Sequence, residues 1–159
     1  MKIFIMRHGQ AEDIAVTTKE QDAKRALTKL GEAQAASMSS LFSAAALSHI
    51  WVSPYLRAQQ TYQQVRKGLD INNVDVTTNT DITPYGNASS LHDYLDAVQQ
   101  SDNISALLIV SHMPLVSYLV DSFTAGQQSP LFQTAAVAEL DYDVETMKGE
   151  LVTMHLPTA

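Results

Sequence analysis

The chain has 159 residues, 45% hydrophobic and 17% charged. That length suits one domain over residues 1–159 and lets folding bury roughly 70% of the unfolded chain's surface. Ten basic against seventeen acidic residues leave a net charge of −7, which argues against nonspecific attachment to nucleic acid or an anionic membrane, so any anionic ligand must be captured by a local cluster. The absence of cysteine excludes a disulfide framework, a thiolate zinc site and a cysteine nucleophile.

Ile3 to Met6 is a continuous apolar run, as in a strand covered on both faces of a parallel sheet, and it ends at Arg7-His8-Gly9. It is too short for a signal-peptide core and is interrupted at once by charge, so a cytoplasmic location is expected. Residues 10–24 carry Glu12, Asp13, Glu20 and Asp22 beside Lys19 and Lys24, and read as either a solvated loop or a lid. Leu30, Met38, Leu41, Phe42 and Ala45 recur at helical spacing behind a capping Thr28, predicting a helix over about 28–45 with Gly31 as a weak point in its first turn. Ile50 to Val52 is a second strand. Ser53 reads as a cap with Pro54 at the first helical position, and Tyr55, Ala58, Tyr62, Val65 and Leu69 mark the buried face that follows.

Val74 to Thr78 is short and polar enough for an edge strand, and 79–87, with Pro84 and Gly86, is a loop. Leu91, Leu95 and Val98 predict a helix over about 88–100, and Leu107 to Val110 is the most apolar strand, ending at Ser111-His112. Pro114 opens a helix that buries Leu115, Leu119 and Phe123, with Gly126 beyond its end. Strands near 136–142 and 150–156 flank a turn containing Lys148-Gly149. No apolar run approaches the roughly 18 residues of a membrane span. Strands alternating with helices predict an α/β three-layer sandwich, its mostly parallel sheet made mixed by the terminal antiparallel hairpin.

In an open α/β sheet, ligands bind at the carboxyl ends of the strands. His8 and His112 each terminate an apolar strand, and Arg57 lies in the first turn of the helix after the second strand. With Arg7 they are expected on one edge of the sheet. Arg7 offers a planar, permanently charged fork suited to phosphate, and Gly9 lets backbone approach an anion closely. A cation in a first helical turn opposes the helix dipole by about 0.3–1 kcal/mol, a penalty that an anion sharing the site removes. The peptide N–H groups around Met113 form an anion seat beside His112. Singly, His8 reads as a structural histidine, Arg57 as a solvated helix residue and His112 as a cap or core residue; their convergence is what points to chemistry. His49, His92 and His155 read as surface or structural residues, and Tyr55, Tyr62, Tyr85, Tyr94 and Tyr118 mostly as packing. There is no HExxH pair, carboxylate cage or Walker-type glycine loop, so the residues themselves call for no metal and no cofactor.

Arg7-His8-Gly9, Leu27-Thr28 with Gly31, the stretch Ser53-Pro54-Tyr55-Leu56-Arg57-Ala58-Gln59-Gln60-Thr61, and Val110-Ser111-His112-Met113-Pro114 resemble, in order and spacing, the histidine phosphatase superfamily, also called phosphoglycerate-mutase-like. The resemblance covers nearly the whole chain. The small size, the Thr83-Pro84-Tyr85-Gly86 segment and the short C-terminal hairpin are similar to the compact SixA-type phosphohistidine phosphatases. The resemblance implies a phosphoglycerate-mutase-like sandwich in which neutral His8 attacks phosphorus and holds the phosphoryl group until water releases it, with no metal. Arg7, Arg57 and His112 would neutralise the equatorial oxygens. Relatives commonly present an acidic residue, usually Glu, to the leaving group. Here the nearest candidate is Asp81, whose spacing to Gly86 departs from the mutase pattern, and it reads as an ordinary loop or cap residue. That gap suits a P–N bond, because an imidazole leaving group, with a reference pKa near 6.5, can arrive already protonated. The implied partner is a phosphohistidine-bearing protein, such as a histidine phosphotransfer domain of a sensor kinase or a phosphocarrier protein, met by a monomeric enzyme without nucleic acid or membrane. A phosphatase or mutase of a small phosphorylated metabolite, and a noncatalytic phosphate-binding interaction module, stand as the alternatives.

Overall fold

In the computed structural model, which describes residues 1–159, every predicted strand forms and joins one six-stranded sheet. In chain order the elements are β1 (Lys2–Arg7), α1 (Lys19–Ala23), α2 (Lys29–Ser37), α3 (Ser39–Ser43), β2 (His49–Val52), α4 (Leu56–Val65), β3 (Asp75–Thr78), α5 (Ala88–Val98), β4 (Ala106–Ser111), α6 (Leu115–Phe123), β5 (Val137–Asp143) and β6 (Lys148–His155). The strand order is β3-β2-β4-β1-β5-β6. The first four strands pair in parallel, and β5 and β6 add antiparallel.

Each face of the sheet is covered, which is why β1 and β4 are apolar without alternation. Ile3, Ile5, Leu107 and Ile109 pack under α5 and α6 with Leu91, Leu95, Leu115, Leu119 and Phe123. Phe4, Met6, Leu108 and Val110 face the other way, onto Ala35, Phe42, Ala58, Tyr62 and Val65 of α2, α3 and α4. α2, α3 and α4 therefore lie on one face and α5 and α6 on the other. The switch falls between the adjacent strands β1 and β4, the crevice where such sheets bind ligands.

Several boundaries differ from the sequence reading. The helix expected over 28–45 is broken at Met38 into α2 and α3. Ser37, Ser39 and Ser43 hydroxyls donate to the carbonyls of Gln34, Ala36 and Ser40 at 2.7–2.8 Å, and such back-bonding competes with a regular helix. Leu30, expected in that helix's core stripe, is 45% exposed. Ser53 does not cap α4: Tyr55 holds the N-cap position, Pro54 lies before the helix, and the Ser53 hydroxyl is committed to His112. The terminal turn is Val144–Met147 rather than Lys148-Gly149, which pair with Asp143 and Tyr142 inside the ladder. Asp143 Oδ1 accepts the Glu145 and Thr146 N–H groups and fixes the turn earlier than the glycine suggested. Tyr55 and Tyr62 are buried, but Tyr85, Tyr94 and Tyr118 are exposed. In α6 the inner stripe is filled by Leu115, Val116, Leu119 and Val120, which turns Tyr118 outward.

His92 is structural, as expected. Its ring sits 2.8 Å from Ser122 Oγ and 2.7 Å from the Tyr142 hydroxyl, and Tyr142 donates to Asp96. This cluster ties α5 to α6 and β5, and burial together with Asp96 pushes the Tyr142 phenol well above its ordinary range. His49 lies against Ser48 Oγ and His155 against Glu139. No helix is long and apolar enough to cross a membrane.

Candidate active site

The parallel register of β1 and β4 sets Arg7 opposite Ser111, so the next residue of each strand, His8 and His112, emerges side by side. Their ring centroids are 5.2 Å apart. Arg57 reaches the same point from the first turn of α4, where Nε lies 3.3 Å from His8 Nε2. His8, Arg57 and His112 are all buried. Arg7 donates from NH1 to the Phe132 carbonyl at 2.8 Å, and its Nε is buried without a partner. The four residues singled out from the sequence thus converge on the crevice that the topology dictates.

The hydrogen bonds of His8 determine which ring nitrogen is reactive. Nδ1 lies 2.6 Å from the Gly9 carbonyl oxygen, which can only accept, so Nδ1 carries the proton and the lone pair stands on Nε2. Burial holds the imidazole neutral, pushing its pKa down to about 3, and the neighbouring Arg57 and Arg7 add to that against the opposing pull of the Gly9 carbonyl. His112 is pushed down to about 2, mainly by burial and then by His8 and the arginines. The site holds two neutral imidazoles beside permanently charged guanidinium groups, an arrangement short of negative charge at the point where a phosphoryl group would supply it.

Backbone packing holds Gly9 in place. Its N–H donates to Thr61 Oγ1 at 3.0 Å, and that hydroxyl donates to the Arg57 carbonyl at 2.8 Å. A Cβ on Gly9 would fall 2.4 Å from the Gly31 carbonyl oxygen, and one on Gly31 would fall 2.0 Å from that of Gln10. Only glycine at both positions lets the loop after β1 lie against α2. Gly31, read from the sequence as a weak point in a helix, is where two backbones touch.

Residues 10–24 are neither a bare loop nor a detached lid. The segment contains α1, Ala11 bridges Leu27, and Thr28 binds Gln10 through both backbone and side chain. It delivers Asp22 to the site: Arg57 NH1 donates to the Asp22 carbonyl at 2.7 Å and NH2 lies 3.2 Å from its Oδ2, while Arg25 Nε holds Oδ1 at 2.9 Å. Burial alone would raise the Asp22 carboxyl, but the hydrogen bonds and charges of Arg25 and Arg57 hold it below the usual carboxylate range. Asp22 therefore engages two donors of Arg57 and one of Arg25.

Sequence reasoning did not single out Asp22, Ser53 or Thr61 as site residues. Asp22 belongs to a charged stretch whose contact depends on tertiary structure, and the other two had local readings as a cap and a helix residue. The Asp81 backbone N–H donates to Asn79 Oδ1 and its carbonyl accepts from the Thr83 N–H, and its carboxyl makes no hydrogen bond to His8, Arg7, Arg57 or His112. No three histidine, aspartate or glutamate side chains are grouped to hold a metal ion.

A basic crevice at the switch point of a doubly covered α/β sheet, with an unprotonated imidazole nitrogen that accepts from arginine, has the chemistry to handle a phosphoryl group. Residues 3–83 match the model of the histidine phosphatase superfamily (branch 1). The chain is 39% identical over 154 residues to a phosphohistidine phosphatase SixA homolog of Haemophilus influenzae, covering 90% of this chain and 89% of that protein. It is 33% identical over 146 residues to phosphohistidine phosphatase SixA of Escherichia coli, covering 90% and 86%. Its fold is similar to the solved structure of protein histidine phosphatase SixA complexed with tungstate, with a TM-score of 0.87 and 31% identity over 99% of this chain and 97% of that one. The chain belongs to the histidine phosphatase superfamily.

Proposed function

We propose that this protein is a phosphohistidine phosphatase that removes the phosphoryl group from a histidine on a protein partner. The observation that carries the reading is the unprotonated Nε2 of neutral, buried His8, which accepts from Arg57 Nε–H beside His112, in a chain similar over most of its length to SixA-type enzymes. His8 Nε2 attacks phosphorus, a P–N bond to His8 forms, and the P–N bond of the substrate breaks with its electron pair passing to the departing imidazole. When that imidazole carries a proton on its other ring nitrogen it leaves neutral, so no strong acid is required. Water then attacks phosphorus, the pair returns to Nε2, and phosphate is released. Arg7, Arg57 and His112 stabilise the charge on the equatorial oxygens throughout.

The surroundings suit a macromolecular partner. Leu56, next to Arg57 in the chain, Leu131, next to Phe132 whose carbonyl anchors Arg7, and Tyr85, under the Lys19 ammonium of α1, are all exposed and free to meet a protein partner. A cytoplasmic histidine phosphotransfer domain or phosphocarrier protein presents the required group, and a monomeric enzyme suffices. The test is a turnover panel of a phosphorylated phosphotransfer domain, a phosphorylated phosphocarrier protein, phosphoserine peptides and sugar phosphates, run with and without a chelator. Metal-independent preference for one of the phosphohistidine proteins is expected. Preference for a sugar phosphate, or activity that a chelator abolishes and one divalent ion restores, would overturn the reading.

A further inference from the structure

Ser53 is fully buried at the end of β2, and its hydroxyl oxygen lies 2.6 Å from His112 Nε2. The same oxygen accepts the Tyr55 peptide N–H at 3.2 Å. A serine hydroxyl has one proton to place, and the imidazole is the only acceptor within reach of it. Were the His112 proton on Nε2, the serine proton would be buried with nowhere to go, a state proteins rarely tolerate. A doubly protonated ring is disfavoured by burial and by the charges facing it, Arg57, Arg25 and Arg7. The remaining arrangement has Ser53 donating to Nε2 and the His112 proton on Nδ1. That Nδ1 is buried without a hydrogen-bond partner from the chain, in a ring packed between Tyr55 and His8.

We propose that Ser53 is a positioning residue: its hydroxyl fixes His112 as the Nδ1–H tautomer and so makes His112 a neutral hydrogen-bond donor to the transferring phosphoryl group. The role deepens the phosphatase reading above and rests on it for the identity of the acceptor. It assigns His112 no proton transfer. The N–H stays on the ring and strengthens its bond as charge gathers on the equatorial oxygens, whereas the other tautomer would confront the same oxygens with a lone pair. The distinction is one of tautomer rather than charge, and it originates in a residue that does not itself touch the substrate.

The experiment is long-range proton–nitrogen NMR of the ligand-free protein labelled at histidine nitrogen, with His112 assigned by its loss in His112→Gln. The expected spectrum has a protonated, pyrrole-type Nδ1 and a bare, pyridine-type Nε2, and tungstate should shift the Nδ1 resonance. A protonated Nε2 in the parent protein, or an Nδ1 indifferent to tungstate, would overturn the proposal. Ser53→Ala should release the tautomer and lower kcat by at least about tenfold with KM changed less than about twofold, while Ser53→Thr restores both. If Ser53→Ala keeps the Nδ1–H form and its turnover, Ser53 does not position His112. Should Ser53→Ala fail to fold, the parent spectrum and its response to tungstate still decide. A protein with the expected tautomer and no turnover of phosphohistidine proteins would sink the substrate reading and leave the tautomer standing.

Discussion

Acidifying the protein from about pH 7.5 to about pH 5 in phosphate-free buffer should cost about 2 kcal/mol of stability for each of His8 and His112. Both imidazoles stay neutral across that range in the folded state, with pKa values pushed down to about 3 and about 2, while in the unfolded chain each titrates near 6.5. The unfolded state therefore binds protons that the folded state refuses. Stability is complete above the unfolded pKa and is lost as pH falls through it. At pH 5 an unfolded imidazole with pKa 6.5 gains about 1.5 pH units of protonation free energy at about 1.4 kcal/mol each, so the pair costs about 4 kcal/mol. For a chain of this size that corresponds to a fall in Tm of about 8–16 °C. Carboxylates such as Asp22, held below their usual range, add to the loss at lower pH, so the diagnostic quantity is a difference between variants. Urea unfolding at several pH values should show that His8→Ala loses about 2 kcal/mol less than the parent between the two pH values. Equal pH dependence in both would mean that His8 takes up its proton in the folded protein, and the neutral nucleophile would have to be abandoned.

Other expectations follow from single contacts. Tungstate or phosphate at a hundredfold excess over its Kd should stabilise the protein by about 2.7 kcal/mol, and Arg57→Ala should remove most of the shift in a thermal melt; an unchanged shift would place the anion elsewhere. Asp22→Asn should tighten oxyanion binding by about three- to tenfold in a titration, because the carboxylate competes for the Arg57 and Arg25 donors; weaker binding would show that Asp22 orients the arginine rather than competing with its ligand. Gly31→Ala should destabilise by about 2–4 kcal/mol in urea unfolding, since its Cβ would stand 2.0 Å from the Gln10 carbonyl oxygen, and an effect under about 1 kcal/mol would show that the loop after β1 can move aside.

Strand-end positions make the candidate site legible in the sequence. His8 and His112 follow the two most apolar runs of the chain, and parallel pairing of adjacent strands then leaves them little choice but to meet. Arg57 reads singly as a solvated helix arginine, and its first-turn position, mildly unfavourable unless an anion shares the site, gains meaning from the two histidines on the same edge. What the sequence could not disclose depends on long-range partners. Asp22 is one acidic residue among several in a charged stretch, and nothing local distinguishes it until α1 lies across Arg57. Ser53 has the residue type and setting of a helix cap, and its hydroxyl went instead to an imidazole 59 positions away. The break in the helix over 28–45 came from serines whose spacing invited back-bonding to the helix carbonyls, a local signal outweighed by apolar periodicity. Tyr94 and Tyr118 sit near core stripes, yet one residue of rotation on a helix is enough to turn a ring outward.

The central claim is that His8 carries the phosphoryl group in transit, and rapid-quench trapping with a radiolabelled phosphohistidine protein tests it most directly. The parent enzyme should show a transient label on the chain that is labile to acid, stable to base and located on His8 by peptide mapping. Neither the label nor turnover should be present in His8→Ala, while that variant still binds tungstate, because Arg7, Arg57 and His112 remain. Label on another residue, or near-parent turnover by His8→Ala, would contradict the mechanism.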